Sequence, residues 1–293
     1  MQEHDQKIVL SASRRTDIPA FYMDWFWENL RSGCFHVKNP FNGKESVVPA
    51  RPGDVHSIVF WSKDYGPFLR RNDGGRLLDA GYRLFFNFTV NSADGILEPG
   101  VPPLEDRLDQ VAGLLRFCPP EAVTWRFDPI CHYRTGPDGP IRDNLNGLMR
   151  IASHMGKLGI TRCVTSFFQD YHKVRRRVAR RAGFSFHFPP LDTKVEVILR
   201  VEKILAEEGI RLALCCQKDL LAALPGGSTI TGASCVDNEL LAKLYGDDVS
   251  LLRDGGQRAA QGCGCKRSRD VGDYRAQPCG HRCLYCYANP GVY

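Results

Sequence analysis

Apolar residues in this chain fall in short runs, each followed by a stretch in which they recur at helical spacing. The first run, residues 7–13 (Lys-Ile-Val-Leu-Ser-Ala-Ser), turns polar at Arg14-Arg15-Thr16-Asp17-Ile18-Pro19. It reads as a buried strand, a polar loop and a helix from Ala20 to about Arg31. Residues 35–50 read as a hairpin excursion about an Asn42-Gly43 turn. Further strands are predicted at 55–61, 82–90, 122–128, 161–168 and 210–216, with a weaker one at 229–235. Helices are predicted at 66–80, 103–117, 143–158, 170–182 and 192–208, and from Asp237 to about Tyr245. Seven strands alternating with helices indicate an α/β chain with a parallel sheet wrapped by helices. A closed or nearly closed (β/α) barrel over residues 1–245 is the preferred form. An open doubly wound sheet is the alternative, and no Gly-x-Gly-x-x-Gly after the first strand supports it.

In such a barrel, chemistry sits at the C-terminal ends of the strands. Polar residues recur there: Arg14, Arg15, Asp17, Lys63, Asn87, Thr89, Arg126, Asp128, Ser166 and Gln217. The paired Arg14 and Arg15 suit a carboxylate or phosphate, with Asp17 either orienting one of them or capping the next helix. Arg126 and Asp128 share a face by alternation, as ligand-binding groups or as a structural ion pair.

With 293 residues, 43% of them hydrophobic, the chain has enough apolar side chains for one large core or two small ones. No apolar run is long enough to span a membrane, and the polar start lacks a signal-peptide core, so a cytoplasmic protein is expected. A net charge of +6 fits an acidic or phosphorylated ligand without requiring nucleic acid. The basic run 173–181 is read as a solvated helix face, with nucleic acid as the less favoured partner. No Ser/His/Asp arrangement or Walker loop is visible. From Gly246 the composition shifts, and residues 253–278 are rich in Gly, Arg, Asp and Gln. Residues 246–293 therefore form a separate cysteine-rich segment packed on the barrel mouth. A long structureless stretch needs something to tie it down, and metal ligation by Cys263 and Cys265 is the expected device.

Eight of the twelve cysteines lie after residue 214. Without an export signal, such clustering points to metal or redox chemistry. The first group is Cys279, Cys283 and Cys286, spaced C-x3-C-x2-C with Tyr285 before the last. An iron–sulfur cluster is preferred here over a zinc site, which usually takes four protein ligands. The second group is Cys216, Cys235, Cys263 and Cys265, four thiolates for an auxiliary [4Fe–4S] cluster or a zinc ion. Plain core thiols are the bland reading for Cys216 and Cys235. Cys215 should point away from Cys216.

The Cys-x3-Cys-x2-Cys-Tyr-Ala-Asn run resembles the radical S-adenosylmethionine superfamily, and most closely its spore-photoproduct-lyase-like branch. Its appearance together with Ser11–Pro19, Lys38-Asn39-Pro40-Phe41, Phe60–Lys63, Arg126–Ile130 and Cys-Gly-Cys resembles a microbial family known as domain of unknown function family 1848. The first resemblance implies a permuted radical-enzyme barrel whose three-thiolate [4Fe–4S] cluster leaves one iron open for S-adenosylmethionine. It also implies reductive cleavage to a 5′-deoxyadenosyl radical, a reductant such as flavodoxin or ferredoxin, and a small or modified substrate of unstated identity. Arg14, Arg15, Asp17, Lys63, Arg126 and Asp128 are then the expected catalytic residues, and Asn87, Thr89, Ser166 and Tyr285 the cofactor-binding ones. A non-radical zinc or closed-cluster protein and a nucleic-acid lesion-repair lyase are the alternatives. A short strand at Asp270–Tyr274 beside residues 7–13 would bring the terminal cysteines to the same mouth as Arg14 and Asp17.

Overall fold

The computed structural model describes residues 6–40 and 42–288. Phe41 and Asn289, which contribute to the motifs above, lie outside the described residues. Eight strands form the main sheet: β1 (Ile8–Ala12), β2 (Val55–Ser62), β3 (Leu84–Thr89), β4 (Val123–Ile130), β5 (Arg162–Phe167), β6 (Arg211–Leu214), β7 (Thr231–Gly232) and β8 (Arg269–Asp270). Every pairing in it is parallel. Their order, β7-β6-β5-β4-β3-β2-β1-β8, follows the chain except that the last strand joins the first. The register sets Leu10 against Arg269 and Ser11 against Asp270, so the expected terminal strand exists but starts one residue earlier and is shorter.

The alternation of each strand explains its two faces. Leu10, Ile58, Phe60, Phe86 and Trp125 point to one side, where they pack against helical residues such as Phe26, Phe68, Val111, Ile151 and Val201. Val9, Val59 and Phe85 point to the other side and meet Val236, Leu241 and Val249, which seal its lower end. Both faces are therefore covered, as a parallel sheet requires. No ladder joins β7 to β8 among the described residues. Instead, the stretch between them links to the chain beyond β7: Gly264 N–H donates to Ala233 O (3.2 Å) and Lys266 N–H to Val236 O (3.0 Å).

Local chemistry sets the helix ends. Asp17 accepts from Ala20 N–H at 3.0 Å and caps Ile18–Phe21, and Asp237 likewise caps Asn238–Tyr245. The single helix expected over 20–31 is two, because Tyr22 leaves helical dihedrals (φ −132°) between Ile18–Phe21 and Met23–Ser32. The helix expected over 66–80 divides at Asn72, whose φ of +53° no interior helical residue adopts. The hairpin Cys34–Lys38/Glu45–Pro49 forms as expected. A small antiparallel sheet of Phe184–His187, His132–Thr135 and Arg142–Asp143 has no counterpart among the predicted elements, since runs of two to four residues are too short for a periodicity to mark them. No helix among the described residues is long and apolar enough to cross a membrane.

Two residues of ladder cannot by themselves hold β8, and the Asp270 carboxylate supplies the rest. It accepts from Ser13 Oγ (2.6 Å), Arg14 N–H (2.8 Å) and Ser11 Oγ (3.2 Å). Asp270→Asn keeps the shape and loses the charge. We expect it to lower stability by about 1.5–3 kcal/mol, the range for hydrogen bonds to a charged group, measured by urea denaturation; an unchanged midpoint would show the carboxylate to be dispensable.

Candidate functional site

The C-terminal ends of the strands open on a cavity of about 480 Å³, within the range of small-molecule sites. Alternation builds its floor. Trp61, Thr89 and Arg126, on β2, β3 and β4, share the face opposite the helices. The guanidinium carbons of Arg14 and Arg126 lie 5.4 and 5.3 Å from the Trp61 ring centroid, so the indole carries a cation from each side of the mouth. Arg126 donates to Asp128 (2.6 Å) and, through Nη1, to Cys235 Sγ (2.9 Å). Ser166 Oγ donates to the other oxygen of Asp128 at 2.5 Å.

Asp17 orients no arginine. Its carboxylate accepts from Ser62 Oγ (2.8 and 2.9 Å), Lys63 N–H (2.9 Å) and His281 Nε2 (2.8 Å), in addition to capping its helix. Asp270 takes the expected role, lying 4.0 Å from Arg14 and 3.7 Å from Arg15. Lys63 pairs with the buried Glu98 at 2.8 Å and sits 5.3 Å from the Tyr285 ring centroid. Tyr285 hydroxyl donates to the same Glu98, as does Asn91 Nδ2. Burial alone would raise the Glu98 pKa, but Lys63 and Arg107 outweigh it and hold the carboxyl below its ordinary range.

The terminal segment is thus fastened from several sides. Arg177, in the basic helix His172–Val178, turns inward and donates to the carbonyls of Cys283 (3.2 Å), Leu284 (2.9 Å) and Cys286 (3.0 Å). Gly100 N–H donates to His281 O, and a Cβ at Gly100 would come within 2.8 Å of that oxygen, so only glycine permits the approach.

Arg14, Arg15, Asp17, Lys63, Thr89, Arg126, Asp128, Ser166 and Tyr285 all line the cavity. Asn87 does not; it is buried below, donating to Cys235 O at 3.1 Å. Sequence reasoning passed over Trp61, His281, Arg258 and Asp270, which also line it. His281 stood in view between Cys279 and Cys283, whereas Arg258 lay in a stretch without periodicity and the sequence marks Asp270 only as the start of a strand.

Cys279, Cys283 and Cys286 reach the same mouth as Arg14 and Asp17, as do Cys216, Cys235, Cys263 and Cys265. Their expected role is corrected. Among the described residues, no three or more His, Cys, Asp or Glu side chains form a group that could hold a metal ion. This overturns the open-iron [4Fe–4S] cluster at Cys279, Cys283 and Cys286, and the auxiliary cluster or zinc site at Cys216, Cys235, Cys263 and Cys265. It also overturns the S-adenosylmethionine that the open iron would chelate, and with it the radical enzyme, the zinc or closed-cluster alternative and the lesion-repair lyase. The sulfurs have other partners. Cys235 donates to Cys215 (3.6 Å), Cys215 to Cys216 (3.8 Å), and Cys265 Sγ accepts from Val236 N–H (3.4 Å). Burial pushes the Cys279 thiol up to about 12 and raises those of Cys283 and Cys286. Cys216 is the exception: hydrogen bonds from Cys215 and Cys263 bring it down to about 4. Cys215 does not point away from Cys216 either. β6 ends at Leu214, and Cys216 takes a φ of +55°, so strand alternation no longer applies there.

His281 gives the site a pH dependence. Its two ring nitrogens face acceptors, Asp17 Oδ2 and Gly100 O (3.2 Å), so the protonated ring satisfies both. Burial alone would lower its pKa, but the Asp17 hydrogen bond and charge outweigh this and raise it. A raised folded pKa gives stabilisation that is complete below the unfolded value of about 6.5 and lost as pH climbs through the folded value. Denaturation midpoints should fall over that window in the native protein relative to His281→Phe; parallel pH profiles would refute the assignment.

No curated protein matches the chain. Among solved structures, D-hydantoinase from a Bacillus sp. AR9 is similar over 57% of this chain at 13% identity, with a TM-score of 0.28. The chain spans 34% of that protein's length, and so slight a likeness carries no argument. Neither comparison supports a link to the radical S-adenosylmethionine superfamily. The family model for a domain of unknown function, DUF1848, matches residues 9–288, and the chain belongs to that family.

Proposed function

We propose that the protein binds a small organic anion in the cavity at the strand ends. The charge balance of the lining carries this reading: Arg14, Arg15, Lys63, Arg126 and Arg258 stand against three lining carboxylates, Asp17, Asp128 and Asp270, and the buried Glu98 that pairs with Lys63. Each carboxylate already serves the frame, and each guanidinium has more N–H donors than its internal contacts use. An anion entering the cavity would complete them. Arg14, Arg15, Arg126 and Lys63 are the holders, with Asp17 and Asp128 positioning the elements that carry them. Thr89 and Ser166 offer hydroxyls, and Tyr285 forms part of the wall. Trp61, Tyr171, Tyr274 and Tyr287 add flat apolar surface, which favours an anion attached to a planar group. In this reading, residues 1–245 form the body that carries the cavity floor, and the cysteine-rich segment from 246 onward closes over it.

Phenyl phosphate and phenol separate the charge from the ring. Calorimetric titration at low salt should show phenyl phosphate binding and phenol binding far more weakly, with the difference shrinking as salt is added. Arg126→Met should raise the Kd for phenyl phosphate about tenfold or more, as the loss of a charge-assisted hydrogen bond implies. Equal binding of the two probes, or an Arg126→Met protein that binds as well as the native one, would defeat the reading.

A further inference from the structure

Anion binding leaves one part of the cavity wall without a role: the thiols where β6 and β7 end. Cys215 Sγ lies 3.6 Å from Cys235 Sγ, and the two come from neighbouring strand ends joined by the Ala233 N–H to Leu214 O hydrogen bond (2.8 Å). Side-chain rotation can bring sulfurs at that separation to the roughly 2 Å of a disulfide. Both residues line the cavity, so a small molecule can reach them. A cation is already in place, since Arg126 Nη1 donates to Cys235 Sγ at 2.9 Å. It would stabilise negative charge on that sulfur whenever the sulfur attacks or departs.

We propose that Cys215 and Cys235 form a thiol–disulfide exchange site whose substrate is a small-molecule disulfide, preferably an anionic one. One sulfur of the pair attacks a sulfur of the substrate, breaking its S–S bond and releasing one thiol. The other sulfur attacks the resulting mixed disulfide, breaking it and releasing the second thiol. The two protons of Cys215 and Cys235 end on the two released thiols. The substrate gains two electrons and the protein pair loses two. The preference for an anionic substrate rests on the anion-binding reading; the exchange itself does not.

The test uses the full chain, reduced and freed of reductant, with glutathione disulfide as probe. Each chain should release two glutathione molecules and lose two of its twelve thiols. Peptide mapping should find the link between Cys215 and Cys235. Cys215→Ser and Cys235→Ser should each stop at a mixed disulfide after releasing one glutathione, whereas Cys216→Ser should still form the link. Links between other cysteines, a link that persists in Cys215→Ser, or no release of glutathione would overturn the proposal. The native map decides by itself if a serine variant does not fold. Hydroxyethyl disulfide, which is uncharged, serves as a second probe. A rate about tenfold or more lower than with glutathione disulfide at low salt is expected. Equal rates with both probes would remove the anionic preference and keep the exchange, and no thiol release from either would remove the exchange.

Discussion

The carboxylate of Asp270 is the constraint on which the mouth of this molecule depends. β8 contributes only two residues to the sheet, too few for its backbone ladder to fix the chain beyond it. The side chain makes up the difference by taking hydrogen bonds from two serines and a backbone amide at the end of β1 and just past it. One half-buried carboxylate thereby sets the position of Arg14 and Arg15 and the point at which the final segment turns toward the cavity. The arginines are held by a residue some two hundred and fifty positions away, which is why neither serves the helix cap beside it.

The cavity joins two kinds of surface. One side is cationic and aromatic, organised around Trp61; the other is sulfurous, at the ends of β6 and β7 and in the terminal segment. Arg126 touches both, with one nitrogen on Asp128 and another on Cys235. Burial keeps the terminal thiols protonated, while a neighbouring pair of S–H donors favours the thiolate at Cys216. Thiols that line one cavity thus differ in acidity because burial governs some and hydrogen-bond partners govern another.

Much of the fold could be read from the sequence, because a strand buried on both faces is a continuous apolar run and the helices between strands keep their period. Val55–Ser62 and Leu84–Thr89 show this plainly. The breaks at Tyr22 and Asn72 were not legible, since nothing in either residue type forbids a helix. Strand-end polarity singled out Arg14, Lys63, Arg126 and Asp128, which line the cavity. Their partners were hidden, because pairing across the mouth depends on which distant loop arrives there. Asp17 illustrates this: the sequence shows a cap, but not the histidine that comes to it from residue 281. Cysteine spacing misled most. It describes which thiols can approach one another, not the hydrogen bonds that engage Cys215, Cys216, Cys235 and Cys265 after folding.

The docking of His281 on Asp17 also has a kinetic meaning. These residues are separated by 264 positions, and Tyr287 reaches Arg14 across 273. Contacts this remote close very large loops and belong to the late part of folding, after the neighbouring strands have paired. The stretch after Gly246 serves both parts, since Val249 packs on the sheet while the terminal cysteines line the cavity, so the last contacts to form tie the cavity wall to the core.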